Sequence, residues 1–132
     1  MNKFLEFFAS RFRAFKHAFH GWGYVLRTQR NAWVHALASI LVLLVGIWLQ
    51  LSLRDWAVIV LTVAMVWTAE FINTSLEAIV DLASPGQHPL AKAGKDVGAA
   101  GVLIAALTSV VVGVLIMGPP LWARLQALFS AP

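Results

Sequence analysis

Glu70, Asn73, Thr74, Glu77 and Asp81 recur at helical spacing, starting inside a long apolar run where acidic side chains are not expected. At ~100° per residue they fall within a sector of roughly 100° and span ~16 Å along the axis. Phe71, Ile72, Leu76, Ile79 and Val80 take the opposite side. One helix face therefore carries three carboxylates, an amide and a hydroxyl. A carboxylate at the centre of a bilayer costs about 2.5–3.5 kcal/mol on insertion scales, so such a group marks a functional site.

The residue types suit phosphoryl transfer at a membrane surface. Glu70, sparsely solvated, is placed to accept a proton as a general base. Glu77, two turns nearer water, offers hard oxygens to Mg²⁺, which prefers carboxylate and phosphate ligands. Asn73 lies between them and can orient either. Lys95 and Asp96 follow in the next link, where a dissolved phosphate donor would arrive. Two other readings use the same residues: polar contacts that only hold helices together, and a pathway for protons or ions through Glu70.

The elements that position this stripe are membrane helices. Of 132 residues, 60% are hydrophobic and 12% charged, about half the charge of a soluble domain, typically ~25%. Apolar runs at 32–51, 56–82 and 97–118 are each near or above the ~20 residues that cross a bilayer, and their backbone must be helical there. The link Ser52–Asp55 is short and makes the first two spans an antiparallel hairpin. The second link, through Pro85, Gly86 and Pro89, reads as irregular, and Gly118-Pro119-Pro120 reads as the stop of the third span. Small residues at Gly94, Gly98, Gly101 and Ala105 allow close helix packing in lipid. Over 1–31, Phe4, Phe8, Phe12, Phe15, Phe19 and Trp22 alternate with Arg11, Arg13, Lys16 and His17. That pattern fits an amphipathic helix on the membrane surface rather than a cleavable signal peptide.

Six of the ten basic residues precede the first span. They predict a cytoplasmic N-terminus and a second link on the same side. This flanking distribution argues for a membrane partner and against nucleic acid. There is no cysteine, which excludes disulfides and thiolate metal sites. No P-loop and no Gly-x-Gly-x-x-Gly is present. His17, His20, His35 and His88 lack zinc spacing and read as interfacial or packing residues. Trp22, Trp33, Trp48, Trp56 and Trp122 fall near span ends as interface anchors. Three helices burying several polar groups are expected to self-associate, with the order left open.

Two segments resemble a known family. Glu70-Phe-Ile-Asn73-Thr-Ser-Leu-Glu77-Ala-Ile-Val-Asp81 and Ala93-Gly-Lys95-Asp96-Val-Gly-Ala-Ala resemble the paired signatures of the prokaryotic diacylglycerol kinases and undecaprenol kinases. The similarity extends from about Arg13 to Met117. It implies an all-α integral membrane homotrimer in a bacterial cytoplasmic membrane, each protomer with a surface helix and three membrane helices. It implies in-line transfer of the γ-phosphoryl of Mg-ATP to a lipid alcohol. By that resemblance Glu70 is the base, Asn73 its support, and Glu77 a Mg²⁺ ligand. Lys95 and Asp96 become nucleotide contacts, and Asp81 a supporting residue. Arg11, Arg13 and His17 lie where the family contacts nucleotide or headgroup.

One departure stands out. The family commonly carries a second metal-binding glutamate where this chain has Gln29, whose carbonyl can still coordinate Mg²⁺ but without charge. The Thr28-x-Arg30-Asn31-x-x-x-His35 pattern resembles the undecaprenol kinase branch more than the enteric diacylglycerol kinases. The competing classes are a small oligomeric proton-coupled transporter using Glu70 and a structural membrane adaptor. The transporter would need a continuous polar path, yet Thr62 is the one polar group between Trp56 and Val66.

Overall fold

The computed structural model describes residues 3–130, and they form four helices. These are α1 (Lys3–Thr28), α2 (Arg30–Trp48), α3 (Leu53–Ala83) and α4 (Pro89–Phe129). No strand occurs among the described residues. The last three helices are long and apolar enough to cross a membrane, and the chain is a multi-pass membrane protein. Their outer faces expose Leu37, Ile40, Leu61, Ile79, Ile104 and Val114, an apolar surface that lipid satisfies.

α2 and α3 make a tight hairpin for local reasons. Gln50 takes a left-handed conformation with φ 55°. Its N–H donates to Ile47 O at 3.0 Å, and Leu51 N–H donates to Gly46 O at 3.2 Å. This is a Schellman ending, which satisfies carbonyls that a helix end would otherwise leave free. The next helix opens at once on a capping box, in which the Ser52 hydroxyl accepts from Asp55 N–H and the Asp55 carboxylate accepts from Ser52 N–H. The Trp56 ring closes the hairpin against Gly46, where an added Cβ would come within 2.8 Å of it.

The second link is shorter than its prolines suggest. Only Ser84–His88 lies outside helix. His88 caps α4, its Nδ1 accepting from Leu90 N–H at 3.2 Å, and Pro89 sits at the first helical position. A proline there loses no helical hydrogen bond and its ring presets φ. Lys95 and Asp96 are therefore on α4, not in a link.

α4 also continues past Gly118-Pro119-Pro120 to Phe129 rather than stopping there. The prolines remove the N–H groups that would bond Leu115 and Ile116 carbonyls. Both keep a helical φ, however, and Gly118 has no Cβ to clash with the ring that follows it. Arg124 then stacks over the Trp48 ring at 5.5 Å, tying the extension to the end of α2.

α4 packs along α3 far more extensively than α2 does. The Ser109 hydroxyl, bonded to Ala105 O, also lies 3.4 Å from Thr62 O of α3. At its C-terminal end α1 folds against α3. Trp22 packs on Trp67 and Phe71 with ring centroids 4.6 and 4.7 Å apart.

Candidate active site

The polar stripe of α3 faces inward. Glu70, Asn73 and Thr74 are buried, Glu77 is half-buried and Asp81 is exposed. The gradient follows depth, from the protein interior to the α3–α4 link. The Thr74 hydroxyl donates to the Glu70 carbonyl at 2.8 Å, a local helix bond.

Glu77 is the hub of an amide cluster. Asn73 Nδ2 donates to its Oε1 at 3.1 Å, and Gln29 Nε2 donates to its Oε2 at 2.9 Å. The first bond is an i,i+4 contact within α3. The second crosses between segments, because Gln29 is the single non-helical residue between α1 and α2. It stands at the N-cap of α2 yet makes no side-chain cap, which leaves its amide to reach α3. Asn73 Oδ1 is buried with no hydrogen-bond partner among the described residues, pressed against Gly98 of α4.

The position of Gly98 is therefore demanding. A Cβ there would collide with Asn73 Oδ1, the end of a short and buried side chain. Gly98→Ala is expected to lower stability by about 1–3 kcal/mol, the usual range for overpacking. Thermal unfolding in detergent micelles measures it; an unchanged midpoint would mean that Asn73 has room to move.

One turn from Asn73, on the side away from Glu77, Glu70 has only 1% of its surface exposed. Neither carboxylate oxygen has a hydrogen-bond partner among the described residues. The nearest cationic candidate is His35 of α2, with Nε2 3.7 Å from Glu70 Oε2. Ser39 fixes this part of α2: its hydroxyl donates to His35 O at 2.7 Å and accepts from Trp67 Nε1–H at 3.1 Å. Trp22, Trp67 and Phe71 form an aromatic cover beside it.

Glu70, Asn73, Glu77 and Gln29 are thus brought together. Lys95 forms an ion pair with Asp81, and Asp96 is exposed on α4. Arg11, Arg13 and His17 are exposed on α1, with His17 beside His20, and none bonds to the α3 stripe. His35 is the residue that sequence reasoning read as interfacial or packing. Its signal was the hairpin register: counting from the short link at ~1.5 Å per residue places it within about one helical turn of Glu70.

The described residues contain no cluster of three or more acidic, histidine or cysteine side chains for a metal. The donors around Glu77 nevertheless fit a hard cation. Each Glu77 oxygen keeps a lone pair beyond its amide bond, the Asn73 carbonyl is unpartnered, and the Gln29 carbonyl lies on the same group. Mg²⁺ commonly takes one or two protein carboxylates and completes its shell with phosphate and water.

A family model described as prokaryotic diacylglycerol kinase matches residues 16–117. The chain is 40% identical over 110 residues to an undecaprenol kinase of Bacillus subtilis, covering 83% of this chain and 89% of that protein. It is 40% identical over 110 residues to a diacylglycerol kinase of Synechocystis sp., covering 82% of this chain and 62% of that one. To a diacylglycerol kinase of Escherichia coli it is 29% identical over 96 residues, covering 67% of this chain and 79% of the other.

Proposed function

The chain belongs to the prokaryotic diacylglycerol kinase family, and on that premise we propose that it is a membrane lipid kinase whose working site is the Glu70–Glu77 stretch of α3. The reaction is transfer of the γ-phosphoryl of ATP to a lipid hydroxyl. The observation that carries this reading is the pairing of a buried, unpartnered Glu70 with an amide-bound Glu77 two turns nearer the link.

Glu70 takes the hydroxyl proton as the lipid oxygen attacks phosphorus. The new P–O bond forms as the bond to the β-phosphate oxygen breaks, and ADP leaves. Burial shields both of its oxygens from bulk solvent. Asn73 and Gln29 hold the Glu77 carboxylate in one orientation. Glu77, with the Gln29 carbonyl, is the group that would hold Mg²⁺, which neutralises phosphate charge when bound. Lys95 and Asp96 extend the site on α4 toward the nucleotide. Lys95 reaches ATP by exchanging its Asp81 partner for phosphate, a small cost because exposed ion pairs contribute little.

The lipid is undecaprenol in first place and diacylglycerol in second. The Thr28-x-Arg30-Asn31-x-x-x-His35 pattern supports that order, while relatives with either activity stand at the same 40% identity. The N-terminus and the α3–α4 link face the cytoplasm of a bacterial inner membrane, in keeping with the basic residues before α2 and at Lys92 and Lys95. The assembly is a homotrimer. Supporting self-association, α3 and α4 leave an open groove of about 710 Å³ whose lining includes Ala69, Ala93, Gly94, Gly98 and Gly101, side chains small enough for another helix to approach.

The test is γ-phosphoryl transfer from Mg-ATP to undecaprenol and to diacylglycerol in parallel, using folded protein in micelles. Undecaprenol should be the faster acceptor. Faster diacylglycerol turnover reverses the order, and no transfer to either returns the transport and adaptor readings.

Gln29 supplies a further prediction. Gln29→Glu removes the amide that now bonds Glu77 and sets two carboxylates side by side. The half-saturating Mg²⁺ concentration should fall at least severalfold. Unfolding without Mg²⁺ should move to lower temperature and recover when Mg²⁺ is added. A metal titration identical to wild type would remove Gln29 from the metal site.

A further inference from the structure

α4 is longer than a membrane crossing requires. It has 41 residues, ~61 Å at ~1.5 Å per residue, twice the ~30 Å of hydrocarbon in a bilayer. α2, with 19 residues, matches that thickness and ends at Trp48. Gly98 lies against Asn73, and Ser109 against Thr62. Continued along the two helices, this antiparallel register sets Gly118 level with Leu53, at the hairpin. Residues 119–129 therefore run ~16 Å past the end of the bundle, on the side remote from the Glu77 cluster. The family match stops at residue 117 and leaves this extension outside it.

Two observations point to what the extension meets. The first is the phase of its apolar side chains. Trp122, Leu125 and Phe129 fall in the same ~80° sector of the helix as Ile104, Val111 and Val114, which face outward within the span. The helix is continuous through Gly118-Pro119-Pro120, so the lipid-facing side of the span runs on into the extension without a change of phase. Ala123 and Ala127 hold the opposite side. The second observation is charge. Arg124 is the one charged residue after Asp96, and neither of the ion pairs among the described residues includes it. Its guanidinium lies over the Trp48 ring, 5.5 Å from the centroid. Stacking occupies a face of the group and leaves the donors on its edge, whose planar fork matches a phosphate. Trp48 and Trp122 are of the type that favours the headgroup level.

We propose that residues 119–129 are an interfacial anchor lying along the phospholipid headgroup layer at the hairpin end, with Trp122, Leu125 and Phe129 in the acyl boundary and Arg124, stacked on Trp48, bonded to a lipid phosphate. Helices with one apolar face and a basic residue at its margin take up this position. The headgroup layer is only ~5–7 Å deep on each side, too shallow for ~16 Å of upright helix, so the extension inclines along it. The hydrogen bonds absent at Pro119 and Pro120 make that level the one where α4 bends at least cost. The anchor sets the depth of α2 and α4 in the bilayer from the end opposite Glu77. It needs a membrane protein but not a kinase, and so stands apart from the proposed activity.

The chain has no cysteine, so a single introduced one carries a nitroxide label to a chosen position. Leu125→Cys and Ala123→Cys, on opposite faces of the extension, are labelled in the full-length protein and reconstituted in vesicles of phosphatidylcholine and phosphatidylglycerol. Power saturation then reads collisions with oxygen, which partitions into lipid, and with a water-soluble nickel chelate. The oxygen-to-nickel ratio should be at least severalfold higher at position 125 than at position 123. Adding Arg124→Glu, which sets a carboxylate among lipid phosphates, should lower the ratio at position 125 severalfold, and Arg124→Gln should fall between. Equal, nickel-dominated ratios at both positions would place the extension in water and overturn the inference. Spin–spin broadening at position 125 with both reagents excluded would overturn it too, since a second copy would then cover the stripe. A ratio at position 125 unchanged in both Arg124 variants would remove the phosphate contact.

Discussion

Glu70→Gln is expected to abolish lipid phosphorylation, lowering kcat by about 10³-fold, within the range lost with a general base, while the protein stays folded. The substitution keeps the volume of the side chain and removes its ability to take a proton. Glu70 has 1% of its surface exposed, and neither oxygen is hydrogen-bonded among the described residues. A neutral amide in that place costs less to bury than a carboxylate, so the unfolding midpoint should be unchanged or higher. Steady-state lipid phosphorylation, thermal unfolding and the size of the detergent-solubilised assembly decide the point together. A rate within tenfold of wild type would take the base role from Glu70. Loss of the assembly along with the rate would favour the adaptor reading, in which the carboxylate serves association.

The polar stripe was legible in the sequence because a 3.6-residue period survives any detail of packing. Glu70, Asn73 and Glu77 share a face on any regular helix, and an apolar setting makes that face conspicuous. The helix ends were harder. Pro89 and Pro119-Pro120 both read as breaks, yet the first is preset for a helix start beside the His88 cap, and the second follows a glycine that relieves its clash. Proline's effect depends on which neighbour supplies the missing bond or space, and that is settled only when the chain is folded. His35 escaped for a different reason. Its meaning comes from the register of α2 against α3, set by a four-residue hairpin turn and by Trp56 seated on Gly46. Gln29 stood out as a departure from the family pattern. That its amide nitrogen, and not only its carbonyl, serves Glu77 required the geometry.

Glu77→Gln is expected to have the second largest effect, and for two separable reasons. The first is charge. The carboxylate is the one anionic group in the cluster formed with Gln29 and Asn73. Without it, kcat/KM for Mg-ATP should fall by at least ~10²-fold, and half-saturating Mg²⁺ should rise. The second is hydrogen bonding. Both Glu77 oxygens now accept from amide nitrogens. A glutamine offers one oxygen and one nitrogen, so two donors would face each other at one side unless a neighbouring amide turned over. A lost half-buried bond of this kind costs about 1 kcal/mol, seen as a lower unfolding midpoint without metal. A charge swap separates the two causes. The double variant Gln29→Glu with Glu77→Gln restores one carboxylate and one amide across the same 2.9 Å contact. If the site needs an anion at that pair, Mg²⁺ dependence should return toward wild type, with a coupling beyond the sum of the single effects. If the anion must stand on α3, one turn from Asn73, stability will recover while kcat/KM does not, and metal binding is then a property of Glu77 itself.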